Sequence, residues 1–218
     1  MDVTPRKLPR QARARATVDA IVEATTQVLR ERGYERFTTT QAAERAGVSV
    51  GSLYQYFPNK AALAAAVIDR CCDDFIAAFE SALASQKAAD GRPHALLADC
   101  IHAIVDVTLV SHHLTSDLHR IARDLAPRLG VAKRTEMVNE AITRLIESVL
   151  RRHADEIRAD VDLAVAAVMI ETVLQALAHR VALGGPAKAA KDGVLAREAA
   201  RMITRYLRAS DDSRRTEG

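Results

Sequence analysis

The chain has 218 residues, 49% of them hydrophobic, and a formal net charge of +3. This length allows one substantial core, or a small module beside a larger one. The net charge is too small to imply a polyanionic partner by itself. Three cysteines, two of them adjacent at Cys71 and Cys72, exclude a disulfide framework and favour a reducing interior.

The start of the chain is polar and basic. Five basic residues and no acid lie between Arg6 and Arg15. This pattern fits either a flexible arm that meets phosphates or anionic lipid, or a solvated disordered terminus. The N-terminal stretch has no apolar signal core. The most apolar stretch, 161–178, is interrupted by Asp162 and Glu171, so it is interpreted as a buried helix rather than a membrane span. We expect a soluble cytoplasmic protein with a flexible arm over 1–16 and a disordered tail over 210–218.

Glycine and proline separate long runs of helix-forming residues, and no alternating β-branched run bounded by turns is present. The sequence therefore predicts an almost entirely helical fold. Apolar residues spaced by three and four from Val18 to Leu29 predict a first helix, and Gly33 is expected to end it. Thr38 followed by Gln41 predicts a capping box that opens a second helix.

The second helix is short, because Gly47 supplies the left-handed residue that turns the chain. Ser49 is expected to cap a third helix that runs to about Phe57, and Asn59 to cap a fourth that starts at Lys60. The order is helix, tight turn, helix. Breaks at 90–93, 127–130 and 184–186 separate further predicted helices, which brings the total to about nine. These further helices are predicted over about 60–87, from 93 to about 113, and over 116–125, 131–154, 160–183 and 189–209.

The stretch from Gly47 to Gly51 matches the G-x-S-x-G pattern of a hydrolase nucleophile elbow. That pattern exposes a serine only where a strand enters the turn. A helix enters Gly47, so Ser49 is interpreted as a helix cap and not as a nucleophile. The sequence also lacks HExxH, paired CxxC, P-loop and GxGxxG motifs. We therefore predict no enzymatic activity, no cofactor and no metal.

The segment from Gly33 to Leu63 resembles the DNA-binding domain of the TetR family of bacterial one-component regulators. The resemblance implies an all-α fold, with a three-helix helix-turn-helix domain over 17–60 and a larger helical effector-binding and dimerisation domain over 61–209. The matching residues are Gly33-Tyr34, Thr38-Thr39, Ala46-Gly47-Val48-Ser49, Gly51, Leu53, Tyr54, Tyr56, Phe57 and Lys60.

A recognition helix offers its N-terminal residues to base edges in the major groove, while hydroxyls, lysines and helix N-termini contact phosphates. Gln55 can pair with adenine, and Val50 can pack on a thymine methyl. Tyr54 or Tyr56 could instead pack in the core, where Leu53 and Phe57 are expected. The candidates are Thr40, Val50, Ser52 and Gln55 for bases, and Thr39, Ser49, Gly51, Tyr54, Tyr56 and Lys60 for phosphates.

Asp99, His102, Asp106 and His113 fall on one stripe of the helix after Pro93. The stripe could line a pocket or hold a metal, but a solvated face is favoured. A metal site at His112, His113 and His119 has weak support, because no cysteine or acidic motif stands at a recognised spacing. Adjacent Cys71 and Cys72 are interpreted as packing residues rather than a redox sensor.

The last predicted helix carries an apolar stripe that needs a partner. The resemblance implies that the last two long helices pack against their copies in a four-helix interface, giving a homodimer that binds a pseudo-palindromic operator in double-stranded DNA. The stripe consists of Leu195, Ala199, Met202, Ile203, Tyr206 and Leu207.

Five of the eight aromatic residues lie between Tyr34 and Phe57, which leaves few stacking faces for a flat aromatic cation in the C-terminal domain. We therefore expect an aliphatic effector, or none, and we predict no effector-binding residues. The expected function is a repressor released from DNA by a small effector. The alternative is a DNA-binding regulator without a small-molecule effector, controlled by a protein partner or constitutive.

Overall fold

The computed structural model describes residues 12–86, 96–114, 125, 127–183, 185 and 192–208, without the side chains of 110–114. Over these ranges the chain is helical, with no strand, as predicted. The helices are α1 (Ala12–Arg36), α2 (Thr39–Arg45), α3 (Val50–Tyr56), α4 (Lys60–Ala84), α5 (Leu97–Leu114), α6 (Ala132–Arg152), α7 (Leu163–Ala182) and α8 (Val194–Leu207), with a 3-10 turn at Ala154–Glu156.

The start of α1 corrects one expectation. The helix begins at Ala12, inside the stretch for which the sequence favours a flexible arm over 1–16. The reason is composition, because alanine and arginine alternate from Ala12 to Ala16 and both are strong helix formers. The predicted arm up to residue 11, the break at 90–93, most of the predicted helix over 116–125 and the tail over 210–218 lie outside the described residues.

The chain forms two compact units. The first contains the described residues of 1–74 and 117–136, and the second those of 75–116 and 137–218. The domain boundary predicted at residue 60 is the start of α4, whereas the boundary between the units falls further along α4, after Asp74. The first unit has its own core of Ile21, Val22, Val28, Leu29, Phe37, Ala42, Ala43, Leu53, Phe57, Ala62, Leu63 and Val67.

In the second unit, α5 is the central helix and packs against both α7 and α8. Leu97, Ile101 and Ile104 of α5 are fully buried. Helix α7 is the one described helix that is long and apolar enough to cross a membrane, by length and composition alone. It packs on α5, and its buried residues are Ala166, Ala167, Ile170, Leu174, Ala178 and Val181.

Candidate nucleic-acid interface

The chain leaves the regular helix at Gly33, where the backbone inside the range of α1 is not helical, before it turns into α2. Gly33 has a φ of 70°, a region that favours glycine, and its carbonyl accepts a hydrogen bond from the Phe37 N–H at 3.2 Å. The Thr38 hydroxyl accepts from the Gln41 N–H at 3.2 Å, and the Gln41 side chain accepts from the Thr38 N–H at 3.1 Å. The predicted capping box is confirmed, and it sets where α2 begins.

The turn between α2 and α3 is equally well defined. Gly47 has a φ of 67°, and the Val48 N–H donates back to the Ala43 carbonyl at 3.0 Å. The Ser49 hydroxyl accepts from the Ser52 N–H at 3.0 Å, so Ser49 is the N-cap of α3, as predicted. A helix enters this turn, and the strand that a nucleophile elbow requires is missing from it.

Contacts between side chains hold α2 and α3 in place. The Thr39 hydroxyl and the Tyr54 phenol are 3.0 Å apart, which joins the start of α2 to α3. The Arg45 guanidinium makes a two-pronged pair with the Glu31 carboxylate, at 2.5 and 2.8 Å, and this pair ties α2 to α1. It also holds the pKa of Glu31 below its usual value.

Helix α3 has one buried face and one open face. Leu53 and Phe57 are buried in the core, as expected. Among the candidates for base contacts, Gln55 and Thr40 are exposed, and Val50 and Ser52 are half-buried. Tyr54 is 38% exposed, so it is not a core residue, whereas Tyr56 is half-buried and packs on the core.

Gly51 lies on the open face of α3. A Cβ atom built there would meet only the Ser49 hydroxyl, at 3.8 Å. Packing within the chain therefore does not require a glycine at this position. Because glycine costs a helix about 1 kcal/mol relative to alanine, a close approach by another molecule is a physical reason for its presence.

Lys60, a candidate for a phosphate contact, is engaged within the chain. Its ammonium group donates to the Glu35 carbonyl at 3.2 Å, near the end of α1. It also lies 4.6 Å from the centre of the Tyr34 ring and 5.8 Å from that of Phe37. These are cation–π distances, so Lys60 supports the junction of α1 and α4 in the free chain.

The polar stripe on α5 has the exposure of a solvated face. Asp99, His102 and Asp106 are all exposed, and the His102 ring bonds to the Ala98 carbonyl of its own helix at 2.8 Å. The side chains of His112 and His113, and all of His119, lie outside the described residues. In the part of the chain that the structure describes, no group of three potential ligands could hold a metal.

The two adjacent cysteines are in an environment that suits packing. Burial raises the pKa of both the Cys71 and the Cys72 thiols to about 11. The thiols are therefore protonated at neutral pH, whereas a reactive cysteine is a thiolate.

Sequence reasoning missed two groups of polar residues. One is the pair of Glu31 and Arg45, and the other joins Cys100, His153 and Glu156 in the second unit. Arg45 is 14 positions from Glu31, and Cys100 is 53 positions from His153, so no local spacing predicted either group. The pair of Glu31 and Arg45 supports the interface by fixing α2 on α1.

Two family models match the chain. Residues 21–67 match the model described as bacterial regulatory proteins of the tetR family, and residues 97–207 match the tetracyclin repressor-like C-terminal domain. A curated relative, the A-factor receptor protein of Streptomyces griseus, is 40% identical over 62 residues, which are 28% of this chain. The matched segment spans 22% of that relative's own length.

Two solved structures have the same fold as this chain. The fatty acid degradation regulator FadR from Bacillus halodurans superposes with a TM-score of 0.64 and 19% identity, over 86% of this chain and 94% of FadR. SmeT, the repressor of a Stenotrophomonas maltophilia multidrug efflux pump, gives 0.62 and 23%, over 91% and 93%. The chain belongs to the TetR family of bacterial regulators, which bind DNA and are not enzymes.

Proposed function

We propose that this chain is a homodimeric transcriptional repressor that leaves a pseudo-palindromic operator when a small, largely aliphatic effector binds its C-terminal domain. The observation that carries the proposal is the open face of α3. Tyr54 and Gln55 are exposed there, beside Gly51, on a helix whose position is fixed by a capped turn and a buried Leu53. A helix fixed in this way suits the major groove.

Each candidate contact has a chemical role in this proposal. Gln55 reads adenine through its amide, Val50 packs on a thymine methyl, and Thr40 and Ser52 donate hydroxyl hydrogen bonds. Thr39 and Tyr54 form one hydroxyl pair, which is suited to a phosphate because each group has further hydrogen-bonding capacity. The remaining phosphate contacts are assigned to Ser49, Gly51, Tyr56 and Lys60.

The proposed dimer uses α7 and α8. Val165, Val168 and Met169 of α7 and Met202 of α8 are each about half exposed. The Tyr206 hydroxyl of α8 lies 3.9 Å from the Met169 sulfur, so the two helices contribute to one surface. An apolar surface of this kind favours burial against a second copy, and twofold symmetry matches a palindromic operator.

The effector class follows from the aromatic residues of the second unit. Phe75 and Phe79 pack edge to face at 6.2 Å, and the Arg158 guanidinium lies 5.5 Å from the centre of the Tyr206 ring. No other aromatic residue follows Phe57 in the sequence. Because the second unit has only these three aromatic rings and each already makes a contact within the chain, we infer that an aliphatic ligand is a better fit than a stacked aromatic cation.

The test of DNA recognition is selection of bound fragments from the source genome, at about 150 mM salt to suppress non-specific phosphate binding. We expect enrichment of one inverted repeat, with half-sites about one DNA turn apart or somewhat more. Equal binding to the enriched and scrambled duplexes would contradict the proposal.

The effector is tested separately, by the shift in melting temperature in the presence of aliphatic acids, acyl thioesters and amines, with aromatic cations as the contrasting set. A ligand of the proposed class raises the melting temperature and releases the operator, because it favours a dimer whose recognition helices no longer fit successive grooves. Stabilisation by aromatic cations alone would contradict the aliphatic assignment.

A further inference from the structure

Two helices run without a break from the first compact unit into the second. Helix α4 crosses the division between Asp74 and Phe75, and α6 crosses it between Glu136 and Met137. A secondary-structure element that belongs to both units is one route along which energetic coupling between them can travel. What connects α4 to α6 next to these crossings therefore matters for communication between the units.

Such a connection lies inside the first unit, beside both crossings. The Arg134 guanidinium forms an ion pair with Asp69, at 3.6 Å from Nε to Oδ1, and a hydrogen-bonded ion pair with Asp73. Arg134 is two residues before the crossing in α6, and Asp73 is one residue before the crossing in α4. We call these three residues the Arg134 clamp.

The clamp depends on its arginine. Asp69 and Asp73 are one helical turn apart on α4, where like charges repel. Burial raises the pKa of Asp69, Arg134 opposes that rise, and the negative charge of Asp73 adds to it. Arg134 is the least exposed of the three, with 30% of its side chain exposed against 54% and 65% for the two aspartates. Its guanidinium therefore offsets a repulsion that α4 would otherwise contain.

We propose that Arg134 is a positioning residue for operator binding. By holding α4 and α6 together where they leave the first unit, it couples operator binding by that unit to the stability of α6 in the second unit. The inference rests on the DNA-binding function proposed above. It concerns these three side chains and requires no effector. Loss of the clamp leaves the DNA-contacting residues intact but reduces the energetic coupling along α6.

The experiment is hydrogen exchange with mass-spectrometric detection on the full chain, with and without the selected operator duplex. In the wild type, operator binding slows exchange in α2 and α3, and also in α6 from Met137 onward. In Arg134→Ala we expect the slowing in α2 and α3 to remain. The slowing beyond residue 137 should fall by about two- to fivefold, the factor expected for loss of a partly exposed ion-pair network.

A matched control removes an arginine from the same helix. Arg144 pairs with Glu140 at 3.7 Å within α6 and has 68% of its side chain exposed. Arg144→Ala should leave the operator-induced slowing unchanged in every segment. An exchange pattern in Arg134→Ala that equals that of Arg144→Ala would overturn the proposal, since the clamp would then contribute stability alone.

The charge exchange Arg134→Asp with Asp73→Arg tests the same idea if Arg134→Ala folds poorly. It restores an ion pair between α4 and α6, so the slowing beyond residue 137 should return, whereas Arg134→Asp alone should lack it. A failed rescue in a folded double variant would count against the clamp. Hydrogen exchange in α2 and α3 tests the DNA-binding function separately. If the operator did not slow exchange there in the wild type, the DNA-binding function itself would be refuted.

Discussion

The Ser49 hydroxyl has one role in the free chain and a second role in the proposed complex. It caps α3 by accepting the Ser52 N–H, and it is a candidate for a phosphate contact. Ser49→Asp keeps a good cap but adds a negative charge where DNA would lie. We expect its free energy of unfolding to stay close to that of the wild type, while operator affinity falls at least about tenfold, equivalent to 1.4 kcal/mol.

Ser49→Ala tests the capping role, because it removes the hydroxyl without adding a charge. It removes the cap, so we expect a loss of about 1 kcal/mol in urea denaturation. Ser148→Ala is the control, because that hydroxyl bonds to the Leu145 carbonyl within α6 and caps no helix. If Ser49→Asp bound the operator as tightly as the wild type, Ser49 would be a cap alone.

Lys60 raises a similar question, because its charge is already used within the chain. Lys60→Met keeps the aliphatic stem but removes the ammonium group above Tyr34 and its bond to Glu35. We expect a loss of about 0.5–1 kcal/mol in the free energy of unfolding, typical of an exposed cation–π contact.

The salt dependence of operator binding then shows whether Lys60 also meets a phosphate. If it does, the slope of log K against log salt becomes shallower by about 1 in Lys60→Met. An unchanged slope, together with reduced stability, would assign Lys60 to the junction of α1 and α4 and remove it from the phosphate contacts.

At the scale of helices, one carboxylate joins three elements of the second unit. Glu156, just after α6, accepts the Leu97 N–H at the start of α5 at 3.0 Å. It bonds to the His153 ring at 2.9 Å and to Arg208, after α8, at 3.4 Å. His153 is buried, and its other ring nitrogen lies 3.7 Å from the Cys100 sulfur. The carboxylate therefore holds the ends of α5, α6 and α8 together.

This junction makes the stability of the second unit depend on pH. Burial tends to raise the pKa of Glu156, but the Leu97 N–H and His153 outweigh it, so the pKa lies below its ordinary value of 4.5. A lowered folded-state pKa stabilises the fold above the unfolded pKa, and this stabilisation is lost as pH falls through the folded value. We expect Glu156→Gln to cost about 1–2 kcal/mol at pH 7, and this cost should shrink below pH 4.5.

Urea denaturation of both proteins between pH 7 and pH 3 measures this difference. Glu140→Gln is the control, since Glu140 forms an exposed pair with Arg144 in the same helix. A cost for Glu156→Gln that stayed constant across the whole pH range would show that shape, rather than charge, is what the junction requires.

Features formed by residues close together in the chain could be predicted from the sequence, and features formed by distant residues could not. The caps at Thr38, Ser49 and Asn59 use residues at most three positions apart, and all three were predicted and are confirmed. The junction at Glu156 brings together residues 53 and 59 positions apart, so no local pattern contains it. The base and phosphate contacts remain predictions, because α3 shows which side chains are exposed and not what they touch.

At the scale of the whole molecule, the exposed apolar face of α7 and α8 calls for a partner. The buried face of α7 packs on α5, yet Val165 and Val168 are each 53% exposed and Met202 is 51% exposed. A patch of this kind on a single chain is typical of an association surface. Its occupant in our proposal is a second copy, which places two α3 helices on one operator.

Val168→Lys tests this arrangement. The side chain is half exposed in the single chain, so the fold should tolerate lysine, but in a twofold interface the charge is buried twice. We expect the dimer to weaken by about 2–5 kcal/mol, so that sedimentation velocity at micromolar concentration detects monomers. Operator affinity should fall as well, because a monomer engages one half-site without the gain that linkage to the second provides.

Met137→Lys is the matched control, since Met137 is 50% exposed but lies on α6, which is not one of the two helices of the proposed interface. It should sediment as a dimer and bind the operator like the wild type. If Val168→Lys also remained a dimer, the interface would lie elsewhere on the chain. If it became monomeric yet kept full operator affinity, DNA recognition would not depend on dimerisation. The proposed match between a twofold dimer and a palindromic operator would then be contradicted.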